Sequence, residues 1–221
     1  MHESIGYRPF SEMVSMERNR DSRDYALVNG FPHAKDFLDS LEKQLTKGGK
    51  ILDMGCGKGK AISQIGRKLF LQKINCLALD RELPKKQYKF LEYINGTFSE
   101  TGLEDNSIDL IVSVCALFYY AEDEQDLHSH VIEAKRILAP TGNLSTVVDP
   151  VIFERDHMKI ALAQLTTQEI RLQSPTINSK SFKINVCNLL KDEGLKIDGR
   201  ILPKGGTMID DEITLIIKKS L

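Results

Sequence analysis

The sequence predicts an α/β fold built on a doubly wound, mostly parallel sheet. Three observations carry this expectation. Short apolar runs alternate with helix-length amphipathic stretches along most of the chain. One apolar run, Ile51-Leu52-Asp53, feeds a glycine-rich turn, Gly55-Cys56-Gly57-Lys58-Gly59, that opens a helix through Ala61 to Leu69. A second run, Lys73 to Asp80, ends in an acid 21 residues beyond Gly59. In doubly wound folds an acid at that place accepts hydrogen bonds from ribose hydroxyls.

The glycine stretch organises the rest. Without a Cβ, glycine adopts positive φ and lets backbone approach a ligand closely. The helix behind it aims unpaired N–H groups at the same spot. Together these predict a nucleotide-sized pocket at the C-terminal end of a strand. A dinucleotide fingerprint needs G-x-G-x-x-G. Here Lys60 stands where the third glycine belongs, which disfavours an NAD(P) oxidoreductase.

With 221 residues, 41% hydrophobic and 28% charged, the chain reads as one ordinary globular domain with an N-terminal appendage. We place the appendage, a helical lid, at residues 1–46 and the main domain at 47–221. No apolar stretch approaches the roughly 18 residues that span a membrane. The opening Met1-His2-Glu3-Ser4 lacks a basic region followed by an apolar core, so a cytoplasmic location is expected. Cys56, Cys76, Cys115 and Cys187 are widely spaced, without a CxxC pair, and read as reduced thiols rather than a metal site. His128 and His130, two apart on a helix, point in different directions and cannot share a metal. The net charge of −1 is unevenly spread. Lys58 to Lys89 holds nine Lys/Arg against two acids, and Phe90 to Ala139 holds ten acids against two basic residues. Two solvated faces explain this more simply than nucleic-acid binding does.

The elements follow in order. Pro32 opens a helix whose apolar face is Ala34, Phe37, Leu38, Leu41 and Leu45, and Lys47-Gly48-Gly49 stops it. Lys89 to Ile94 is a third strand and Leu110 to Ser113 the end of a fourth. Glu122 to Leu138 is a helix, with acids at its start and Lys135 and Arg136 in its last turn. Pro140-Thr141-Gly142 breaks it before a fifth strand, Leu144 to Val148. A helix through Met158 to Leu165 and a polar loop at Ser174-Pro175-Thr176 come next. Ser181 to Glu193 is a further helix, capped by Gly194. Leu195 to Leu202 and Glu212 to Lys218 are the last strands, joined hairpin-fashion through Pro203-Lys204-Gly205-Gly206.

The arrangement Asp53-x-Gly55-x-Gly57-x-Gly59 resembles the first motif of class I S-adenosylmethionine (SAM) methyltransferases. Asp105-Asn106-Ser107-Ile108-Asp109, followed by an apolar strand and Ser113, is similar to that family's D-N-S-F-D loop and fourth strand. The helix–turn–strand segment from Ala134 to Leu144 matches it too, so the likeness runs from about Lys47 to Val148. The resemblance implies a Rossmann-like, seven-stranded sheet with an antiparallel last strand. It implies SAM as cofactor, with Asp53, Gly55, Cys56, Gly57 and Gly59 around its methionine part and Asp80 on the ribose. Thr97 and Phe98 would flank adenine, and Ser113 would face the cofactor. The family usually has an aspartate where this chain has Thr97, and a hydroxyl there accepts a hydrogen bond without carrying charge.

Methyl transfer needs alignment and exclusion of water more than acid–base chemistry. A base is required only where the acceptor must lose a proton. The candidates are Tyr25, His33, His128, Asp149 and His157, of which Asp149 and His157 follow the fifth strand on the substrate side. Tyr7, Arg8, Arg18, Arg20 and Arg23 could close over the pocket, and an arginine there could hold the cofactor carboxylate. Cys115 lacks the Pro-Cys pair of cytosine-5 methyltransferases and reads as core. The absence of Asn-Pro-Pro-Tyr after the fourth strand argues against adenine-N6, cytosine-N4 and glutamine acceptors. The function expected is therefore methyl transfer to a small molecule. The alternatives are an RNA or protein methyltransferase, with the basic 58–89 stretch as docking edge, and a catalytically weakened SAM-binding domain acting through a partner.

Overall fold

The computed structural model describes Ala26 and residues 33–45, 47–114, 116–117, 121, 124–148, 170–172, 182–184, 190–201 and 213–219. Helix α1 (Ala34–Gln44) precedes β1 (Lys50–Met54), α2 (Lys60–Leu69), a 3-10 turn (Phe70–Gln72), β2 (Asn75–Asp80), β3 (Glu92–Asn95) and β4 (Ile108–Ser113). Then come α3 (Glu124–Ile137), β5 (Leu138–Val148), β6 (Ile170–Leu172), β7 (Phe182–Ile184), β8 (Leu195–Ile201) and β9 (Ile213–Lys219).

Seven strands form one sheet in the order β3-β2-β1-β4-β5-β9-β8. The chain starts at the centre with β1, walks outward to β3, then returns across β1 to β4. That reversal, between β1 and β4, is the switch point at which doubly wound folds bind ligands. β1 pairs in parallel with β2 and β4, and β9 runs antiparallel to both β5 and β8. The expected mixed seven-stranded sheet is therefore present. Its central strands are apolar on both faces, because helices cover both: Leu52, Met54, Leu77, Leu79 and Ile111 belong to one buried cluster, and Ile51, Ala78, Leu110 and Val112 to the other. α1 buries Phe37 and Leu41 in the second cluster beside Ile62 and Ile65 of α2. α1 thus packs through Phe37 and Leu41 onto α2.

Several boundaries moved for identifiable reasons. β3 begins at Glu92 rather than Lys89, because Phe90 is held in a turn against α2. A Cβ on Gly66 would lie 2.8 Å from the Phe90 carbonyl oxygen. β5 begins at Leu138, so Pro140-Thr141-Gly142 lie inside a strand rather than between elements. A register shift between Ile108 and Leu110 absorbs them. Gly142 sits against the carbonyls of Ile108 and Asp109, each 3.0 Å from where a Cβ would stand. β6 and β7 form a separate antiparallel pair, Ile170 opposite Ile184 and Leu172 opposite Phe182. β7 replaces the start of the helix expected from Ser181. The expected helix through Met158 to Leu165 and the loop at Ser174 lie outside the described residues.

Candidate active site

The site grows from the C-terminal ends of β1 and β2. β1 delivers Asp53, 1% exposed, and Met54, and the chain then turns at Gly55 with φ 92°. The N–H groups of Gly55 and Cys56 both donate to the Leu79 carbonyl of β2 at 3.0 Å. The turn is thereby locked to the strand that carries Asp80. Gly57 (φ 54°) and Gly59 (φ 70°) complete it, and Gly59 is the N-cap of α2. No side chain caps that helix, so its first N–H groups and its positive dipole end are left for a ligand.

The glycines serve different ends. A Cβ on Gly55 would stand 2.4 Å from the Ala116 Cβ and 3.2 Å from the Phe98 ring. Gly55 is therefore demanded by packing. A Cβ on Gly57 would meet nothing within 4 Å. Its Cα faces open space.

Asp80 faces this opening. Its Oδ2 accepts the Gly57 N–H at 2.7 Å and its Oδ1 accepts the Glu82 N–H at 3.3 Å. The acid at the end of β2 thus braces the glycine turn directly. Thr97 follows β3 beside it, the Gly96 N–H donating to the Asp80 carbonyl at 3.2 Å. Thr97 and Glu100 close a tight turn on each other through their backbones, and the Thr97 hydroxyl lies 3.2 Å from that of Ser99.

Two residues expected at the cofactor face inward. The Phe98 ring is 6% exposed and lies in the core, edge-to-face with His130 at 5.3 Å. It forms the floor under Gly55 rather than an open stacking surface. The Ser113 hydroxyl donates to the Met54 carbonyl at 3.2 Å and accepts from the Leu117 N–H at 2.9 Å. It ties the loop after β4 to the end of β1. Both side chains help to hold together the strand ends that frame the glycine turn.

Cys56 belongs to the turn as backbone. Its thiol lies 3.7 Å from the Gly57 carbonyl. Burial, and then the charges of Asp53 and Asp80, push the thiol well above its ordinary value. Burial and Asp53 push Cys76 up to about 12. Both thiols therefore stay protonated and unreactive near neutral pH. A disulfide-exchange reagent at pH 7.5 is expected to modify Cys56 far more slowly than free cysteine; equal rates would contradict this.

Of the candidate bases, His33 is exposed at the N-cap of α1, and His128 lies 3.4 Å from Glu193. Tyr25, Asp149 and His157, and the basic residues of the N-terminal segment, lie outside the described residues.

A polar network beneath the site was not singled out by the sequence. Glu133 of α3 accepts the Thr101 N–H at 2.9 Å and the Thr101 hydroxyl at 2.6 Å. Arg136 donates to Glu133 through Nε at 2.7 Å and Nη2 at 2.8 Å, to the Leu103 carbonyl at 2.7 Å, and to Asp105. Burial alone would raise the Glu133 pKa. Hydrogen bonds from Arg136 and Thr101 outweigh that and hold it at about 2. Asp109 accepts the Lys50 N–H at 2.8 Å, fixing the start of β1. The loop from Thr97 to Ile108 is thus pinned at both ends. The i,i+3 pair Glu133 and Arg136 on one helix face was the visible signal. Its partner Thr101 is 32 residues away in sequence.

Comparison with known proteins bears on the same region. The family model described as a methyltransferase domain matches residues 52–146. The match begins on β1 and ends within β5, so it encloses the glycine turn, Asp80 and the Glu133 network. The fold is shared with many solved structures of SAM-dependent methyltransferases. A Haloferax volcanii methyltransferase solved in complex with the Trm112 methyltransferase activator is 17% identical, with a TM-score of 0.59 over 96% of each chain. A SAM-dependent methyltransferase from Methanosarcina mazei is 19% identical, with a TM-score of 0.55 over 82% of this chain and 97% of that one. A Burkholderia thailandensis 1,6-didemethyltoxoflavin-N1-methyltransferase, solved with its substrate and S-adenosylhomocysteine, is 12% identical, with a TM-score of 0.55 over 100% of this chain and 94% of that one. No curated protein matches the sequence. Among the described residues, no helix is long and apolar enough to cross a membrane.

Proposed function

We propose that this methyltransferase transfers a methyl group from S-adenosylmethionine to a small-molecule acceptor. The observation that carries the cofactor is the pairing of an open-sided Gly57 with the Asp80 carboxylate at its N–H. The residues fit the group. A ribose offers two hydroxyls to a carboxylate that now holds backbone N–H groups. The turn and the start of α2 offer N–H groups and a positive dipole end to a carboxylate. Asp53, Gly55, Cys56, Gly57 and Gly59 would shape the methionine site, Asp80 would take the ribose, and Thr97 would stand beside adenine. Phe98 and Ser113 would support these from below. When bound, SAM supplies an electrophilic methyl on a sulfonium and a thioether leaving group.

The chain's own part is positioning. Asp80 would accept ribose hydroxyls on its remaining lone pairs while still bracing the Gly57 N–H, so binding and turn geometry are linked through one carboxylate. The Ser113 tie keeps the loop after β4 fixed against β1, where an acceptor would be aligned. The absence of the Asn-Pro-Pro-Tyr segment argues against adenine-N6, cytosine-N4 and glutamine acceptors, which narrows the RNA and protein alternatives. A small molecule is favoured by the fold's compatibility with small acceptors, which the Burkholderia enzyme illustrates.

The test is release of S-adenosylhomocysteine from SAM, assayed with an ultrafiltrate of small metabolites, with total RNA and with total protein in parallel. The proposal expects turnover with the ultrafiltrate alone. Turnover confined to RNA or protein would replace the acceptor class. Saturable SAM binding without turnover in any arm would favour the catalytically weakened reading.

A further inference from the structure

Five large apolar side chains are exposed among the described residues, and four of them come from two adjoining turns. Phe70, 57% exposed, and Leu71, 85% exposed, lie in the turn after α2. Tyr88 and Phe90 lie in the turn before β3. Phe70 and Phe90 meet edge-to-face at 5.3 Å, so the two turns form one surface. Gly66 of α2 packs against the Phe90 backbone and Leu91, which joins that surface to the start of β3.

This surface borders an open sheet edge. β3 ends the sheet and pairs only with β2 among the described residues. A parallel crossover usually carries a helix that covers such a region. The connection from Arg81 to Leu91 contains none. Arg67, Lys68, Lys73, Lys85, Lys86 and Lys89 lie in the same two turns or the residues flanking them, all exposed, against Glu82 and Glu92. An aliphatic and aromatic patch, a strand edge unpaired among the described residues and a set of exposed cations in the flanking turns thus come together.

We propose that this face docks a partner protein, through an extended segment of alternating acidic and apolar residues that adds a strand to β3. Main-chain pairing would come from the strand edge, apolar anchoring from Phe70, Leu71 and Phe90, and charge complementarity from the lysines. A second copy of this chain is disfavoured, because two such faces would bring like charges together. RNA would engage the cations, but it would use neither Leu71 nor the strand edge.

The probe is a synthetic peptide alternating glutamate with valine and leucine, compared with a version carrying lysine for glutamate and with a single-stranded RNA oligonucleotide. Binding is read by fluorescence anisotropy, amide exchange in Glu92–Asn95 by mass spectrometry, and self-association by sedimentation. The proposal expects saturable binding of the acidic peptide alone, with slowed exchange in β3. Leu71→Glu, an exposed change outside the cofactor site, should weaken that binding by about tenfold or more while SAM affinity stays unchanged. Phe70→Ser should act in the same direction. Absence of saturable peptide binding, equal binding of the lysine peptide or of RNA, or a wild-type dimer dissociated by Leu71→Glu would each overturn it.

Discussion

Gly55→Ala is expected to destabilise the domain by about 3 kcal/mol. The new Cβ would lie 2.4 Å from the Ala116 Cβ, far inside contact distance. Neither atom can rotate away, because both are fixed to backbone. Overpacking of this kind costs about 1–3 kcal/mol. The φ of 92° adds about 1–2 kcal/mol for a residue with a Cβ. At about 2–4 °C per kcal/mol for a domain of this size, Tm should fall by roughly 6–12 °C. Gly57→Ala is the control. Its Cβ meets nothing, and only the φ of 54° is strained, so the loss should be about 1 kcal/mol. Cofactor affinity should nevertheless fall in Gly57→Ala, because its side chain would project into the proposed site. Chemical denaturation of both variants checks the pair. Equal stability losses would contradict the division of the glycines into one that packs and one that faces a ligand.

Glu133→Ala is expected to cost about 3 kcal/mol. The carboxylate is 7% exposed and is the acceptor for the Thr101 N–H, the Thr101 hydroxyl and Arg136. Its removal leaves the Thr101 N–H buried without its partner, at about 1–3 kcal/mol, and loosens Arg136 as well. Arg136 is partly exposed, so water offsets part of its loss. Asp105→Ala, on the exposed arm of the same arginine, should cost less than about 1 kcal/mol. The pH dependence follows from direction. Glu133 is held at about 2 against an ordinary value of 4.5. Its contribution is fully present above about pH 4.5 and is lost as pH falls through about 2. His130 acts earlier. Burial lowers its pKa, against the pull of Asp126 and the Leu117 carbonyl. Its stabilising neutral form is retained above the ordinary value of 6.5, and loss begins as pH drops below that. Glu133→Gln should therefore flatten the acid limb below pH 4.5. An unchanged limb in denaturation at stepped pH would show that the network does not couple to folding.

Much of this was legible before any coordinates, for physical reasons that differ by element. The strand–glycine–helix turn is local in sequence, and positive φ at Gly55, Gly57 and Gly59 can be met cheaply only by glycine. Asp80 was legible because a parallel strand paired with β1 must end beside that turn. The motif around Asp109 identified a strand, but not that its carboxylate bonds the first residue of β1. The burial of Phe98 was not legible, because sequence shows a ring beside a glycine loop but not the direction in which it points. Its direction is set by Gly55 above it and His130 beneath. Pro140 to Gly142 read as a break because proline and glycine usually end elements. Only the pairing with β4 shows the register shift that admits them. Glu133 could not be paired with Thr101, since nothing local links a helix to a loop 32 residues before it.

The central claim is that the glycine turn and Asp80 form one cofactor site. The most direct measurement is calorimetric titration of the protein with S-adenosylmethionine and S-adenosylhomocysteine, repeated on Asp80→Ala. The account predicts saturable binding of both ligands, weakened by about 1–3 kcal/mol in Asp80→Ala, which loses the ribose acceptor and the brace on Gly57 together. No heat with either ligand, or equal affinity in Asp80→Ala, would contradict it.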